Sequence, residues 1–388
     1  MQSKKLIYIL NSYSVTESSH FHHVLGLLEA LATRGIEIAL VIEKADSIPT
    51  FSSANISVIA LKHRSGLRRF LELFQVITHL IRQGFARTYV RIAAPAALTA
   101  TLAHRLLGGA VFFWQSGTTL EYDMAQPMSR KKLKWYFGSH IPNAMARRFV
   151  HYLVTGPAFM VDYYSRIGGV KREKIRLLYN DIDVGRFTPP EDRHVQKAAF
   201  LTAHGLEPDN LVLLLVHRLS PVRRTQLYFP SCLVPLRDGG LLQRVVVIVA
   251  GSGAELPSIQ AEVQRMGLAD RFIFLGNVPN REIQQLYAVA DIFLHPTYNE
   301  GFPRVVIEAM AAGLPIVSTD AGGTRELMGE VQSSLVVSRD EPQAFALCLE
   351  KMIADSSLRQ RLASENRSYV ERFSTANIAA MYEEVLFT

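Results

Sequence analysis

Cysteine and tryptophan are both scarce, with two of each among 388 residues. Two thiols, Cys232 and Cys348, cannot build a disulfide framework or a zinc site, so a reducing compartment is expected. Long apolar runs are missing as well. The longest soft stretch, Ile92 to Ala103, is interrupted by Pro95 and ends at His104 and Arg105. That is far short of the roughly 20 residues a membrane span needs. Lys4 and Lys5 precede only a short apolar run, Leu6–Leu10, which is too brief for a signal-peptide core. The expected location is the cytoplasm, with contact to the inner face of the membrane as a peripheral option. Low-complexity tracts and short internal repeats are also lacking.

What remains is an ordinary globular composition, 48% apolar and 20% charged. It excludes a disordered tail, a collagen and a coiled-coil rod. At about 150 residues per domain the length predicts roughly two to three domains, and two cores are the default. The net charge of +7 is unevenly spread. Residues 1–190 hold 24 Lys+Arg against 12 Asp+Glu, whereas residues 191–388 hold 18 against 23. This asymmetry suggests two lobes with different partners.

Strand and helix signals alternate through both halves. Leu6–Leu10, Ile36–Ile42, Val58–Leu61, Thr88–Ile92, Val111–Trp114 and Tyr152–Val154 read as strands of the first lobe. Helical spacing lies between most of them, as in Leu67–Ile81 and Ala96–Leu107. In the second half Leu211–Val216, Val245–Ala250, Phe272–Leu275, Ile292–His295 and Ile316–Ser318 read as strands. Ile283–Ala290 and Val305–Ala312 read as helices between them, and Pro342–Ala354 and Leu358–Phe373 as amphipathic helices after them. The pattern predicts an α/β chain of two doubly wound domains with parallel sheets. Predicted domains are 1–190 and 191–370, with a helix in 371–388 packing back on the first. Two such domains place the carboxyl ends of their strands across a cleft, where open α/β sheets bind ligands.

The densest chemistry lies in His295–Thr324. Pro296 to Gly301 reads as a loop after a strand, and a helix starts near Pro303, a residue favoured in the first turn. Amides from Gly301 to Val305 then sit at a helix N-terminus, a ready phosphate site. Gly301 permits close approach of a ligand to the backbone. Glu300 precedes the helix and either caps it or meets sugar hydroxyls. Glu308 lies among Val305, Val306, Ile307, Ala309 and Met310, so it either takes a solvated face or holds a partner such as ribose hydroxyls.

Glu300 and Glu308 form an E-x7-E pair that resembles the signature of the retaining GT-B glycosyltransferases of family 4. The segments 301–303, 309–317 and 322–326 are similar too. So are NDIDVGRFTP at 180–189, VHRLSPVRR at 216–224, VAGSG at 249–253 and FLGNV at 274–278, all in order. The likeness spans nearly all of 170–330, and the first half matches mainly in topology. It implies a GT-B fold of two Rossmann-like lobes, with the donor nucleotide sugar held mostly by the second. Arg218 and Arg223 would then bind the diphosphate, and the alternative for both is a solvated basic loop. The family usually has lysine at the Arg223 position, and arginine keeps the charge in a different shape. The backbone of Gly301, with Phe302, Pro303, Arg304 and Val305, would meet sugar and phosphate. Glu308 would bind ribose, Glu300 the sugar ring, and the backbone near Val278 the base.

Three departures stand out. Ser18-Ser19 replaces a glycine pair expected beside the diphosphate. Ser116 stands where the family has a first-lobe histidine, and His20, His22 and His23 are either substitutes or surface. His217 replaces the glycine before Arg218. Asp181-Ile182-Asp183 imitates the metal mark of the other glycosyltransferase fold, but two carboxylates alone are a poor site. No metal and no cofactor are expected.

The implied activity is transfer of a hexose-type sugar from a nucleoside-diphosphate sugar to an acceptor hydroxyl, with retention and without metal. A glycan or lipid-linked glycan is the expected acceptor. The alternatives are a non-catalytic GT-B protein that binds sugar nucleotide or polysaccharide, and a sugar-nucleotide epimerase. Arg130, Lys131, Lys132 and Lys134 precede Trp135, Tyr136 and Phe137, while Lys62, Arg64, Arg68 and Arg69 flank Leu67 and Phe70. Such mixtures are either solvated faces or contacts to anionic membrane. No nucleic-acid motif is present, and no nucleic-acid partner is expected.

Overall fold

The computed structural model describes residues 4–14, 22–117, 120, 124 and 127–388, with the backbone alone at 22 and 23. Ser18, Ser19 and His20 lie outside the described residues, as do the side chains of His22 and His23. The chain divides into two compact units, Met1–Asp181 with Thr375–Thr388, and Ile182–Ser374.

The first unit is built on a seven-stranded parallel sheet. Its strands are β1 (Lys5–Leu10), β2 (Glu37–Ile42), β3 (Ile56–Ala60), β4 (Arg87–Arg91), β5 (Ala110–Trp114), β6 (Tyr152–Thr155) and β7 (Ile175–Leu177), in the order β3-β2-β1-β4-β5-β6-β7. The central strands are covered on both faces, so they need unbroken apolar runs. In β1 five of six residues are buried, and β5 is buried throughout. The helix Ala94–Leu107 presents Ala96, Ala97, Ala100 and Ala103 to the core, and these small side chains let it lie close against its neighbours. Two strand readings need correction. β7 was not anticipated, because its three residues include Arg176 and follow the charged run Lys171–Lys174. β4 ends at Arg91, and Ile92 leaves the strand at φ 67°, a left-handed conformation rare for a β-branched residue.

The second unit holds five parallel strands: β8 (Leu211–Val216), β9 (Val245–Ala250), β10 (Phe272–Gly276), β11 (Ile292–His295) and β12 (Ile316–Ser318). Their order is β10-β9-β8-β11-β12. All six residues of β9 are buried, as expected for a strand covered on both faces.

The domain boundaries also move. Division was expected after residues 190 and 370, and the compact units divide after Asp181 and Ser374 instead. Local bonding explains the shift. The Ile182 N–H donates to Phe373 O at 2.9 Å, and Phe187 packs edge-on to Tyr287 with ring centroids 5.4 Å apart, so 182–187 is bonded into the second unit. The returning helix Thr375–Phe387 belongs to the first unit. It buries Ile378, Tyr382 and Leu386, and Tyr382 shares a hydroxyl hydrogen bond of 3.0 Å with Tyr89. Its Glu383 pairs with Lys4 at 2.6 Å and with Arg34 at 2.5 Å.

The same division separates Asp181 from Asp183. Asp181 accepts from the Thr375 hydroxyl at 2.9 Å, and Asp183 caps the helix Val184–Phe187 through the Arg186 amide at 3.2 Å. Among the described residues no helix is long and apolar enough to cross a membrane.

Candidate functional site

In the second unit β8 and β11 are adjacent, but the chain winds away from them in opposite directions, from β8 to β9 and from β11 to β12. In open α/β sheets this reversal marks the ligand end of the sheet. His217 and Arg218 follow β8 directly, and His295 closes β11. The loop after β8 carries Arg223, and the loop after β11 carries Glu300. The two loops are tied together by Tyr298 N–H to Arg223 O at 2.7 Å and by Asn299 Nδ2 to Val222 O at 3.1 Å.

Arg223 Nη1 donates to Glu300 Oε2 in a charge-assisted bond. The Glu300 side chain is only 9% exposed, and its other oxygen accepts from the Gly301 amide at 3.1 Å. Arg218 is exposed on the same loop. Burial, and then the nearby Arg218 charge, lowers the Arg223 pKa to about 10, so the guanidinium is still protonated at neutral pH. The Arg218 charge reaches Arg223, so two guanidiniums bring positive potential to the end of β8, where it suits an anion.

Beneath the pair sit two imidazoles. His295 is fully buried, with Nε2 3.9 Å from Glu300 Oε2, and its ring meets His217 edge-on at 5.6 Å. Burial first, and then the Arg223 charge, drives both histidines toward the neutral form, His295 to a pKa of about 3. Both His295 nitrogens and His217 Nε2 lack hydrogen-bond partners among the described residues. These rings therefore pack as neutral aromatic groups.

Glu308 is buried on the helix Arg304–Ala311, and its charge has found a partner, with Tyr287 Oη donating to Glu308 Oε2 at 2.9 Å. Burial, reinforced by the Glu308 charge, holds the Tyr287 hydroxyl well above the usual phenol range, so it remains a donor. Pro303 stands at the N-cap, one residue ahead of the helix proper. The Glu300 carboxylate meets Arg223 and the Gly301 amide, ahead of this helix. Gly301, Phe302 and Pro303 are buried, and Arg304 and Val305 are half-buried.

Glycines set the backbone spacing around the site. A Cβ on Gly251 would lie 1.9 Å from His217 O, and one on Gly253 equally close to Leu219 O. The VAGSG segment thus packs backbone against backbone with the arginine loop. Val278 is half-buried in the loop after β10, which is joined to this segment by Gly251 N–H to Gly276 O at 2.7 Å. Gly322 has φ 59°, and a Cβ there would meet Glu300 O at 2.0 Å. Gly322→Ala is therefore expected to cost on the order of 1–3 kcal/mol and to displace Glu300. A lowered melting temperature together with weakened nucleotide binding would show it.

Ser116 falls in the first unit, where its hydroxyl donates to Gly156 O at 3.4 Å. Arg218, Arg223, Glu300–Val305, Glu308 and Val278 all belong to the second. The sequence reading missed Tyr287, whose spacing marked it only as core, and the contact between His217 and His295. Both histidines immediately follow or end strands that read as buried runs, and that was the available signal.

Residues 197–369 match the family model described as Glycosyl transferases group 1. A D-inositol 3-phosphate glycosyltransferase of Jonesia denitrificans is 30% identical over 219 residues, which cover 54% of this chain and 51% of that protein. The chain spans about half the length of the curated relatives it matches. Among solved structures, the sucrose-phosphate synthase of Thermosynechococcus elongatus aligns with a TM-score of 0.73 and 18% identity over 98% of each chain. Anabaena HepE, solved in complex with UDP and glucose, aligns with a TM-score of 0.71 and 18% identity over 99% of each. The chain has the two-domain α/β fold of the GT-B glycosyltransferases, and over 197–369 it is similar to the glycosyl transferases of group 1.

Proposed function

We propose that the chain is a retaining glycosyltransferase of the family 4 type. It transfers a hexose-class sugar from a nucleoside-diphosphate sugar to a hydroxyl of a glycan or lipid-linked glycan. The observation that carries this reading is the Arg223–Glu300 pair at the β8/β11 reversal, next to Arg218 and the start of the helix Arg304–Ala311. Loss of the nucleoside diphosphate builds negative charge on the leaving group. Arg218, Arg223 and the amides around Arg304 supply positive potential there without a metal ion. Glu300 orients the Arg223 fork and accepts hydrogen bonds from donor-sugar hydroxyls. Glu308, held by Tyr287, accepts from the ribose, and the backbone near Val278 meets the base. With the leaving group stabilised in this way, the acceptor hydroxyl attacks from the same face as the C–O bond to the diphosphate breaks, its proton passes to the departing diphosphate oxygen, and the anomeric configuration is kept.

Membrane contact is part of the proposal. In the first unit Leu67 is 71% exposed and Phe137 62%, and both lie beside basic residues. Arg64 and Arg69 of the first cluster are partly neutralised by Asp46 and Glu43, so the Arg130–Lys134 stretch carries more of the attraction to anionic lipid. A cytoplasmic location fits this picture.

A thermal-shift screen across sugar nucleotides identifies the donor. A ligand at 100 times its Kd is expected to add about 2.7 kcal/mol. With that donor, Glu308→Ala and Arg218→Ala should each slow transfer, and undiminished turnover in both would remove the assignment.

A further inference from the structure

The first unit has its own chain reversal, between β1 and β4. A cavity of about 180 Å³ lies at the carboxyl ends of β4 and β5, lined by residues that include Ile92, Ser116, Trp135, His140, Asn143 and Arg147. That is close to the volume that holds one six-membered ring.

Its chemistry is unusual for an interior wall. Arg147 is 8% exposed. Its hydrogen bond to Gln115 Oε1 is 3.3 Å long, and its Nε has no partner among the described residues. Ion pairs in this unit take up Arg34, Arg64, Arg69 and Arg172, whereas Arg147 has no carboxylate partner among the described residues. A buried guanidinium without a counter-charge is costly unless something anionic completes it. Gln115 also donates through Nε2 to Asn143 Oδ1, so it fixes both side chains at once.

The opposite wall is donor-rich and aromatic. His140 Nδ1 is buried without a partner, and its ring lies 5.1 Å from Trp135. Ser139 and His140 fall in a widened π turn, Tyr136–His140, within an otherwise continuous helix. Pro142 explains the turn, because it has no N–H for the regular ladder. On the remaining side Ile92 holds its left-handed backbone at the mouth of β4. Strain of this kind collects at ligand sites.

We infer that this cavity binds an oxyanion, phosphate or carboxylate, carried on a sugar-sized acceptor, with Arg147 as its counter-ion. The inference rests on the glycosyl-transfer reading for the word acceptor, but the binding claim stands on the cavity alone. The ring of such a ligand would lie against Trp135, and its hydroxyls would meet Ser116 and Asn143.

Calorimetry on the full chain tests it with glucose, glucose 6-phosphate, galacturonate and inorganic phosphate. Vesicles of phosphatidylglycerol against phosphatidylcholine separate a lipid-borne phosphate from a soluble one. At least one anionic probe is expected to bind on the order of tenfold or more tightly than neutral glucose. Arg147→Gln should abolish that preference while leaving nucleoside-diphosphate affinity unchanged. Asn143→Asp leaves the buried cation in place and adds a negative charge, so it should also repel the anion if Arg147→Gln fails to fold. Equal binding of glucose and its charged analogues, or anion binding untouched by both substitutions, would overturn the inference. Loss of nucleoside-diphosphate binding in the parent chain would instead count against the donor site, leaving the cavity result readable.

Discussion

Replacing Arg223 by alanine is expected to slow sugar transfer on the order of 10²–10³-fold at saturating donor, the usual loss when one preorganised donor to a developing negative charge is removed. The reason is local. Arg223 is the guanidinium that the fold holds against Glu300, and the Arg218 charge beside it is exposed to solvent. Arg223→Lys should recover part of the rate, because the charge remains while the two-pronged fork is lost. Arg223→Ala also leaves the Glu300 carboxylate, 9% exposed, without its counter-ion, at an expected cost of about 2 kcal/mol. Adding Glu300→Gln should return most of that stability without restoring the rate. Single-turnover kinetics and urea titrations on the four chains separate the two effects. A parental rate in Arg223→Ala would remove the guanidinium from the mechanism.

The second large effect is on acid sensitivity. His295 has a native pKa of about 3 against 6.5 when unfolded, and His217 is also shifted downward. Between those values the unfolded chain binds protons that the native chain refuses, so the contribution to stability is complete above pH 6.5 and declines as pH falls toward 3. His295 should add a slope of about 1.4 kcal/mol per pH unit in that window, and His217 acts in the same direction. From pH 7 to 5, His295→Gln should therefore lose about 2 kcal/mol less than the parent, and His217→Gln should shift the profile in the same direction. Both tryptophans lie in the first unit, so amide exchange of β8 and β11 is the appropriate probe. Parallel pH profiles in parent and variants would contradict the buried-neutral assignment.

Most strands were legible because parallel sheets covered on both faces demand continuous apolar runs, and such runs as Val245–Ala250 have no competing reading. β7 was invisible for the converse reason, an arginine within three residues at a sheet edge. The Glu300 and Glu308 pair could be found from spacing, but its supports could not. Tyr287 lies 21 residues from Glu308 and looks like any core aromatic. Gly322 could be matched as part of a motif, yet only the fold brings its missing Cβ against Glu300 O. The boundary after Asp181 depends on a backbone bond between Ile182 and Phe373, a pairing across the whole second unit that no local pattern encodes. The π turn before Pro142 was likewise hidden, since proline in a helical stretch predicts a break and this helix widens instead.

The helix Thr375–Phe387 carries a consequence for biosynthesis. Tyr382 and Leu386 complete an interior whose other walls leave the ribosome almost two hundred residues earlier. The segment 182–374 is complete before that final turn arrives, so it can mature while the older body still waits with an uncovered flank. Translation order is thus nested, with the first module to begin being the last to close. A premature stop just after Ser374 would spare the inserted module and cripple the enclosing one.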